Sequence, residues 1–265
     1  MQRKIGLAAL VIVILSGCAT TQNQSKLDAA EQGGKSSRLL RLAADIEKQG
    51  DTGTAIALYE QAASAQDASA QTFVELGDAY MRAGYPDQAI QSYKAALSRS
   101  PNYGPALVGL GWVMVNEGDT EAGLRTLAEG TRSVNTVEAY NRLGVAQTFA
   151  GQIEPALATF QQALSLAPND LDIQINMAIA MALANDASRA LPLARKVATS
   201  PSASLHHKRN AILVYGLLGQ AGEARALSLA GLSTTEVNEL LAQAKSFRAK
   251  PTVLARAQAL GSAGG

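Results

Sequence analysis

The sequence has very few residues of the types that disulfides, metal sites and catalytic centres use. Cys18 is its one cysteine, and His206 and His207 are its two histidines, among 265 residues. A single cysteine excludes an intramolecular disulfide and any multi-cysteine metal site. Adjacent histidines on a helix point about 100° apart, so they cannot easily chelate one metal from one face. We therefore expect no metal and no cofactor.

Aromatic residues and excess charge of one sign are also scarce. Aromatic residues make up 5% of the chain, hydrophobic residues 47%, and the formal net charge is +1. A chain this close to neutral lacks the basic surface that a phosphate backbone requires, so we expect no nucleic-acid partner. The apolar share is mostly Ala and Leu, which favours closely packed helices over sheets. The composition predicts an all-α protein.

Sequence motifs for catalysis are missing. The chain has no Gly-rich phosphate loop and no nucleophile motif. Ser204, Leu205 and His206, together with Asp172, could be taken for a hydrolase fragment, but nothing resembles a strained nucleophile turn or an oxyanion hole. The alternative is that both histidines lie at the start of a helix. We expect that the protein is not an enzyme and has no small-molecule substrate.

The N-terminus has the layout of an export signal. Arg3 and Lys4 precede an uncharged apolar run of 11 residues, 5–15, which is shorter than the roughly 20 residues of a membrane-spanning helix. The next four positions, Leu15 to Cys18, resemble the lipobox of bacterial lipoproteins. The resemblance implies a signal peptide at 1–17 and a lipid-anchored Cys18. An ordinary signal peptide with an incidental cysteine, or an uncleaved anchor, is the alternative.

The residues after the cysteine predict a tether and a location. Residues 18–35 are polar and include the pair Gly33 and Gly34, so we expect a flexible tether. Ala19 stands where an Asp retains lipoproteins of enterobacteria in the inner membrane. By that resemblance, we expect anchoring in the outer membrane, on its periplasmic face.

A repeat of 33–34 residues runs through the rest of the chain. The members of one series are mostly glycine and end each predicted first helix: Gly50, Gly84, Gly118, Gly151, Asn185 and Gly219. Five residues after each stands a small side chain: Ala55, Ala89, Gly123, Ala156, Ala190 and Ala224. A left-handed turn after the first helix and a close helix crossing explain the two series.

Two of the units resemble the tetratricopeptide repeat most closely. The unit 70–103 matches at Phe73, Leu76, Gly77, Tyr80, Ala89, Tyr93, Ala96 and Pro101. The unit 137–170 matches at Tyr140, Leu143, Gly144, Ala156, Phe160, Ala163 and Pro168. The resemblance implies a right-handed solenoid of about six helix-turn-helix units. These units are 36–69, 70–103, 104–136, 137–170, 171–204 and 205–231.

The segment after the repeats predicts a cap. Ser233 precedes Glu236 at capping-box spacing, and an apolar stripe follows. We expect a capping helix within 232–250, over 234–249. Beyond it, the prediction is a mostly disordered tail at 251–265, in which a shorter helical piece at 252–260 is left open.

The resemblance also implies a concave groove lined by the first helices. Carrying over the groove-facing offsets gives Val74, Asp78, Met81, Val108, Trp112, Val115, Asn141, Val145, Thr148, Ile175, Ile179, Arg209 and Leu213. This set is largely apolar, which suits an amphipathic helix or hydrophobic segment of a protein partner. Trp112 is either the anchor of that contact or a residue that packs against a neighbouring repeat.

One stretch resembles a narrower family. Residues 208–219 read KRNAILVYGLLG and resemble a segment of TadD proteins, which are lipoproteins of the tight-adherence (Flp) pilus machinery. The resemblance implies a pilotin or assembly factor that binds the pilus secretin subunit. The alternatives are a type IV pilus pilotin, or a scaffold for peptidoglycan enzymes or for outer-membrane protein assembly.

Overall fold

The computed structural model describes residues 34–261, and every regular element in that range is an α-helix. The predicted all-α fold is confirmed. The helices are α1 (Lys35–Lys48), α2 (Thr52–Ala63), α3 (Ala70–Arg82), α4 (Pro86–Arg99), α5 (Gly104–Asn116), α6 (Thr120–Val134), α7 (Val137–Phe149), α8 (Ile153–Leu166), α9 (Leu171–Leu183), α10 (Ala187–Ala198), α11 (Leu205–Leu217), α12 (Ala221–Ala226), α13 (Thr234–Arg248) and α14 (Val253–Gly261). The first twelve pair into six repeats of a first and a second helix, numbered 1 to 6 along the chain.

The chain forms two compact units, the first ending at Ala68 and the second beginning at Ser69. In the first unit, α1 packs against α2, and the backbone N–H of Ser36 donates to both carboxylate oxygens of Asp67, at 3.1 Å each. The second unit contains repeats 2 to 6 together with α13 and α14. It carries the positions of the candidate groove.

The Gly and Asn series lies at the turn between the first and second helix of each repeat. All six turn residues have positive φ, between 63° at Asn185 and 95° at Gly118. A left-handed residue ends the first helix and redirects the chain into the second. Side chains with a Cβ pay a steric cost in this region, which is why glycine fills five of the six positions and asparagine the sixth.

The helices within and between repeats pack around aromatic rings set against glycines. A Cβ built on Gly77 would lie 2.7 Å from the Tyr93 ring, and one built on Gly109 of the next repeat 2.4 Å from the same ring. Phe160 packs against Gly144 in the same way, at 2.6 Å. Glycine is required at these positions because the ring lies directly against the backbone of the first helix.

Repeat 3 departs from the tetratricopeptide pattern because its two helices lie unusually close. A Cβ on Gly111 would be 2.4 Å from the backbone nitrogen of Leu127, and a Cβ on Gly123 would be 2.7 Å from that of Val115. Gly123 therefore replaces the usual alanine to match Gly111 across the crossing. Asn135, found where proline is expected, ends α6 in a left-handed conformation with φ 49°.

Helix α13 covers the end of the repeats. It begins where Ser233 accepts a hydrogen bond from the backbone N–H of Glu236, at 3.2 Å. It ends at Arg248, one residue before the end of the predicted helix 234–249. Its buried Leu241 and Ala244 lie over Gly216 of α11. Because α12 has only six residues, α13 packs against α11 more extensively than α12 does.

The C-terminal segment differs from the predicted tail. Residues 253–261 form helix α14, so the prediction of a mostly disordered tail at 251–265 is wrong for them, and the structure follows the alternative of a short helical piece. Helix α14 contacts α7, α9 and α13, and Ala257 at its centre has none of its surface exposed. The predicted signal peptide, Cys18 and nearly all of the predicted tether lie outside the described residues. Within 34–261 no helix is both long and apolar enough to cross a membrane.

Candidate partner-binding groove

The predicted groove positions differ widely in exposure. Seven of them are half-buried: Asp78, Met81, Trp112, Val115, Asn141, Val145 and Ile179. Val74, Val108 and Leu213 retain 5–7% of their surface. A half-buried side chain is fixed by its neighbours and still offers surface to a partner. The seven half-buried residues are therefore the predicted groove positions that a partner can contact without rearrangement of the protein.

The structure brings Val74, Asp78 and Val108 together around one cleft of about 170 Å³. First helices of three successive repeats, α3, α5 and α7, supply most of its wall. The lining residues are Val74, Asp78, Pro105, Val108, Val134, Thr136, Glu138, Ala139 and Arg142. Apolar side chains and one carboxylate from Asp78 therefore share the cleft with an ion pair, in which Arg142 Nη2 lies 2.7 Å from Glu138 Oε1.

Asp78 is held in place from behind by Tyr93. The Tyr93 hydroxyl donates a hydrogen bond of 2.6 Å to Asp78 Oδ1. Burial raises the pKa of Tyr93, and the Asp78 carboxylate raises it further, while Arg142 and Arg82 act in the opposite direction. The carboxylate thus lies in a fixed position at the cleft. The repeat pattern predicts Asp78 at the groove but does not indicate Tyr93 as its partner.

Trp112 packs against helices of repeats 3 and 4. It is half-buried against the apolar cluster that contains Val108 of α5, Leu127 of α6 and Leu143 of α7. Val115 contacts the same cluster. Trp112 therefore packs between repeats and keeps part of its side chain at the surface.

Polar contacts join the first helices of repeats 4 and 5. Asn176 Nδ2 donates to Asn141 Oδ1 at 2.9 Å, which occupies the amide oxygen that a bound peptide could otherwise use. Val145 and Ile179 lie half-buried against the main core, which is the apolar cluster formed by residues of α8 to α14. This part of the groove is consequently more closed than the cleft of repeats 2 to 4.

Two predicted groove residues lie in the interior instead. Ile175 has none of its surface exposed, so the prediction that it lines the groove is wrong. Helix α9 is apolar on most of its circumference, and neighbouring helices bury most of its residues, including Ile175. Thr148 is also buried, at 3%, and its hydroxyl donates to the Gly144 carbonyl at 2.8 Å.

The groove positions of repeat 6 are covered by α13. Arg209 is exposed, but its Nε pairs with Glu236 Oε1 of α13 at 2.6 Å. Leu213 is buried on the helix that α13 packs against. Arg209 therefore belongs to the contact between the repeats and the cap, and Leu213 is a buried residue rather than part of an open groove.

A cleft of about 590 Å³ lies beside α14. It is bounded by α6, by the end of α7 with its following turn, and by Leu254 and Gln258 of α14. A smaller cleft continues past Gln258 and Gly261 to Val115. The repeat pattern does not predict this region, because helix α14 lies in the segment predicted as a tail.

The residues of the hydrolase alternative form a capping arrangement. The Ser204 backbone N–H donates to His207 Nδ1 at 3.0 Å, and Ser204 Oγ accepts from the backbone N–H of His207 at 3.4 Å. His207 Nε2 then lies 2.9 Å from Asp172 Oδ1. Ser204 Oγ also lies 3.0 Å from Nδ1, so the serine, its backbone N–H and the imidazole together form a capping box at the start of α11. The arrangement caps α11 and links it to α9.

In residues 34–261, no three His, Cys, Asp or Glu side chains are grouped to hold a metal.

Family models identify the repeats. The model for the middle TPR-like domain of cilia and flagella-associated protein 70 matches residues 39–146, and the model for the tetratricopeptide repeat matches 137–170. Cellulose synthase 1 operon protein C of Komagataeibacter xylinus is 26% identical over 162 residues, which is 60% of this chain and 12% of that protein. The CTR9 homolog of Arabidopsis thaliana is 27% identical over 142 residues, 53% of this chain and 13% of that protein. The chain thus spans about an eighth of each relative.

Solved structures share the fold at low identity. PilW, described as a widely conserved type IV pilus biogenesis factor, has a TM-score of 0.69 at 17% identity, covering 79% of this chain and 99% of PilW. PilF of Pseudomonas aeruginosa has a TM-score of 0.62 at 17% identity, covering 82% and 98%. A thermophilic TPR protein of Thermus thermophilus has a TM-score of 0.57 at 18% identity, covering 68% and 98%.

Proposed function

We propose that this chain, a tetratricopeptide-repeat protein, is a lipid-anchored adaptor that binds a protein partner in the bacterial cell envelope. Its partner is the secretin subunit of a Tad (Flp) pilus or of a related secretion system, and its role is that of a pilotin or assembly factor. It acts by holding its partner, without catalysis, from the periplasmic face of the outer membrane.

The observation that carries this proposal is the cleft formed by Val74, Asp78 and Val108. Apolar side chains from α3 and α5 lie beside a fixed carboxylate and the Arg142–Glu138 pair. Apolar surface supplies binding energy, and charges at the rim orient the bound segment. A hydrophobic or amphipathic segment with one basic side chain opposite Asp78 fits this arrangement.

The anchor is proposed from the sequence at Leu15 to Cys18. A thiol-linked lipid together with an acylated amino terminus gives more than one chain, and stable membrane attachment needs two such signals. A groove tethered at the membrane can hold an aggregation-prone segment of an outer-membrane protein close to its destination. Lipid and groove then work as one device.

The pilus assignment draws on two kinds of likeness. Residues 208–219 resemble TadD proteins, and the fold resembles that of PilW, a type IV pilus biogenesis factor. A type IV pilus pilotin is therefore the second candidate. Both candidates share a membrane-held protein groove and differ in the secretin that they bind.

The function can be tested through the carboxylate at the cleft. Asp78→Asn removes the charge that faces the basic side chain of the partner, and we expect affinity for the purified secretin subunit to fall roughly tenfold, or ~1.4 kcal/mol. Asp87→Asn is the matched control, because Asp87 is exposed on α4 and lies outside the lining of the cleft. Binding of labelled secretin subunits by full-length protein is the measurement.

Cells provide the second half of the test. A deletion strain should lose multimers of its Tad secretin, and Cys18→Ser should leave the protein soluble in the periplasm and fail to restore them. Normal secretin multimers in the deletion strain would contradict the proposal. Loss of type IV pilus secretin multimers, with the Tad secretin intact, would select the second candidate.

A further inference from the structure

Helix α14 is a short helix that reaches back across the repeats. Four residues, 249–252, separate it from α13, and Thr252 caps it by accepting a hydrogen bond from the backbone N–H of Ala255 at 3.0 Å. It contacts α7 and α9, the first helices of repeats 4 and 5. Its end borders a cleft that is also lined by Val115 of α5. It therefore runs past first helices of three successive repeats.

The contact of α14 with repeat 4 is close. A Cβ built on Gly151 would lie 3.3 Å from Cα of Leu254, and one built on Gly261 would lie 3.5 Å from the Phe149 ring. Ala257, midway between, is completely buried in the main core. Small residues on α14 and at the turn of repeat 4 allow this approach.

Burial differs along the groove at one position of the repeat, three residues before the turn. That position is half-buried in repeats 2 and 3, at Met81 and Val115, but buried in repeat 4, at Thr148 (3%). Thr148 lies on α7, which α14 contacts. The groove positions Asn141 and Val145 of the same helix stay half-buried, so the covered part of α7 is its turn end.

The fit of α14 is incomplete. Leu254 leaves 44% of its surface exposed, and Nε of Arg256 is buried without a hydrogen bond to any described group. A buried polar group left unpaired costs about 1–3 kcal/mol. A helix of nine residues is also too short to be stable without packing. The contact is thus specific in shape but weak enough to exchange.

We propose that the surface beneath α14 is a helix-binding site whose resident occupant is α14 itself. The partner that replaces it is a short, weakly charged helix with an alanine at the centre of its apolar face. This inference rests on the proposed function, which makes the chain a protein-binding adaptor, and it adds a second surface, on α7 and α9, that opens only when α14 leaves. The 590 Å³ cleft beside α14 gives the incoming helix a place to make its first contacts.

The probe for this site is a fluorescent peptide with the sequence of residues 250–265. Full-length Ala257→Glu places a charge on the buried face of α14 and should release the helix, whereas Ala249→Glu makes the same change at an exposed position before α14. We expect Ala257→Glu to bind the peptide at least tenfold more tightly than the wild type or Ala249→Glu. Hydrogen exchange should show lost protection of 253–261 in Ala257→Glu only, with protection of the remaining helices kept.

Two outcomes overturn the proposal. One is equal peptide binding by the wild type and Ala257→Glu, which would mean that the site is already open. The other is an Ala257→Glu protein with a released α14 and protected repeats that does not bind the peptide. Neither depends on the secretin: peptide binding with no secretin binding would refute the proposed function and keep the helix-binding site.

Discussion

The hydroxyl of Tyr93 lies 2.6 Å from Asp78 Oδ1, and its ring occupies the space between Gly77 and Gly109. One second-helix residue therefore packs two successive repeats together and also positions a carboxylate at the candidate groove. The core and the binding surface are coupled at this point. Changes to the ring should alter stability, and changes to the hydroxyl should alter the cleft.

Tyr93→Phe tests the hydroxyl through the pH dependence of stability. We expect a loss of about 1–2 kcal/mol in the free energy of unfolding at pH 8, because Asp78 loses a donor. Burial and Asp78 raise the pKa of Tyr93 in the folded protein, whereas the unfolded side chain titrates near pH 10. The stability of the wild type is therefore fully present below pH 10 and falls above it.

The comparison between the two proteins isolates this effect. Between pH 8 and pH 11 the wild type should lose about 1.4 kcal/mol more than Tyr93→Phe, since only the wild type has this proton to lose on unfolding. Urea unfolding at both pH values is the measurement. Parallel losses in the two proteins would show that Tyr93 titrates alike in the folded and unfolded states.

Gly109→Ala tests the packing of the same ring. The added Cβ would lie 2.4 Å from Tyr93, so we expect a destabilisation of about 1–3 kcal/mol from overpacking. Gly222→Ala in α12 is the matched control, because nothing lies within 4 Å of its added Cβ and its φ is not positive. That control should be neutral or slightly stabilising. Equal thermal stability of Gly109→Ala and the wild type would contradict the close approach.

His207 allows a test of the capping interpretation against the catalytic one. His207→Ala removes the contacts to Ser204 and Asp172, and we expect a loss of about 1–2 kcal/mol. His207→Gln should recover at least half of this, because glutamine at the same position can reach back to the backbone N–H of Ser204. His206→Ala, on the exposed neighbour, should stay within about 0.5 kcal/mol of the wild type. If His207→Gln is as unstable as His207→Ala, the capping box does not contribute.

The elements that the sequence predicts well are those with a local physical requirement. A left-handed turn selects Gly or Asn, so the six turn residues mark the repeats directly. The start of α13 is similarly visible, because Ser233 and Glu236 satisfy the helix end through neighbouring residues. In each case the residues that carry the signal also make the interaction.

The remaining features depend on residues far apart in the chain. Helix α14 forms where Ala257 is buried against the repeats, and nothing in residues 251–261 alone distinguishes that fate from a loose tail. Ile175 occupies a groove offset by the repeat pattern, but its burial depends on the neighbours of α9. The pairing of Arg209 with Glu236 likewise requires the position of α13. Offsets within one repeat cannot report contacts supplied from outside it.

Ala156→Leu tests the helix crossing that the repeat pattern predicts at the second series of small residues. Ala156 of α8 is completely buried, in a core where Phe160 already lies against Gly144. The larger side chain has no space unless α7 and α8 separate, so we expect a loss of about 1–3 kcal/mol. Ala158→Leu introduces the same side chain at an exposed position of the same helix and should change stability by less than about 0.5 kcal/mol. Thermal melts of the two variants measure the difference. Equal melting temperatures would mean that repeat 4 can absorb the added volume, and the close crossing would then not be what selects alanine.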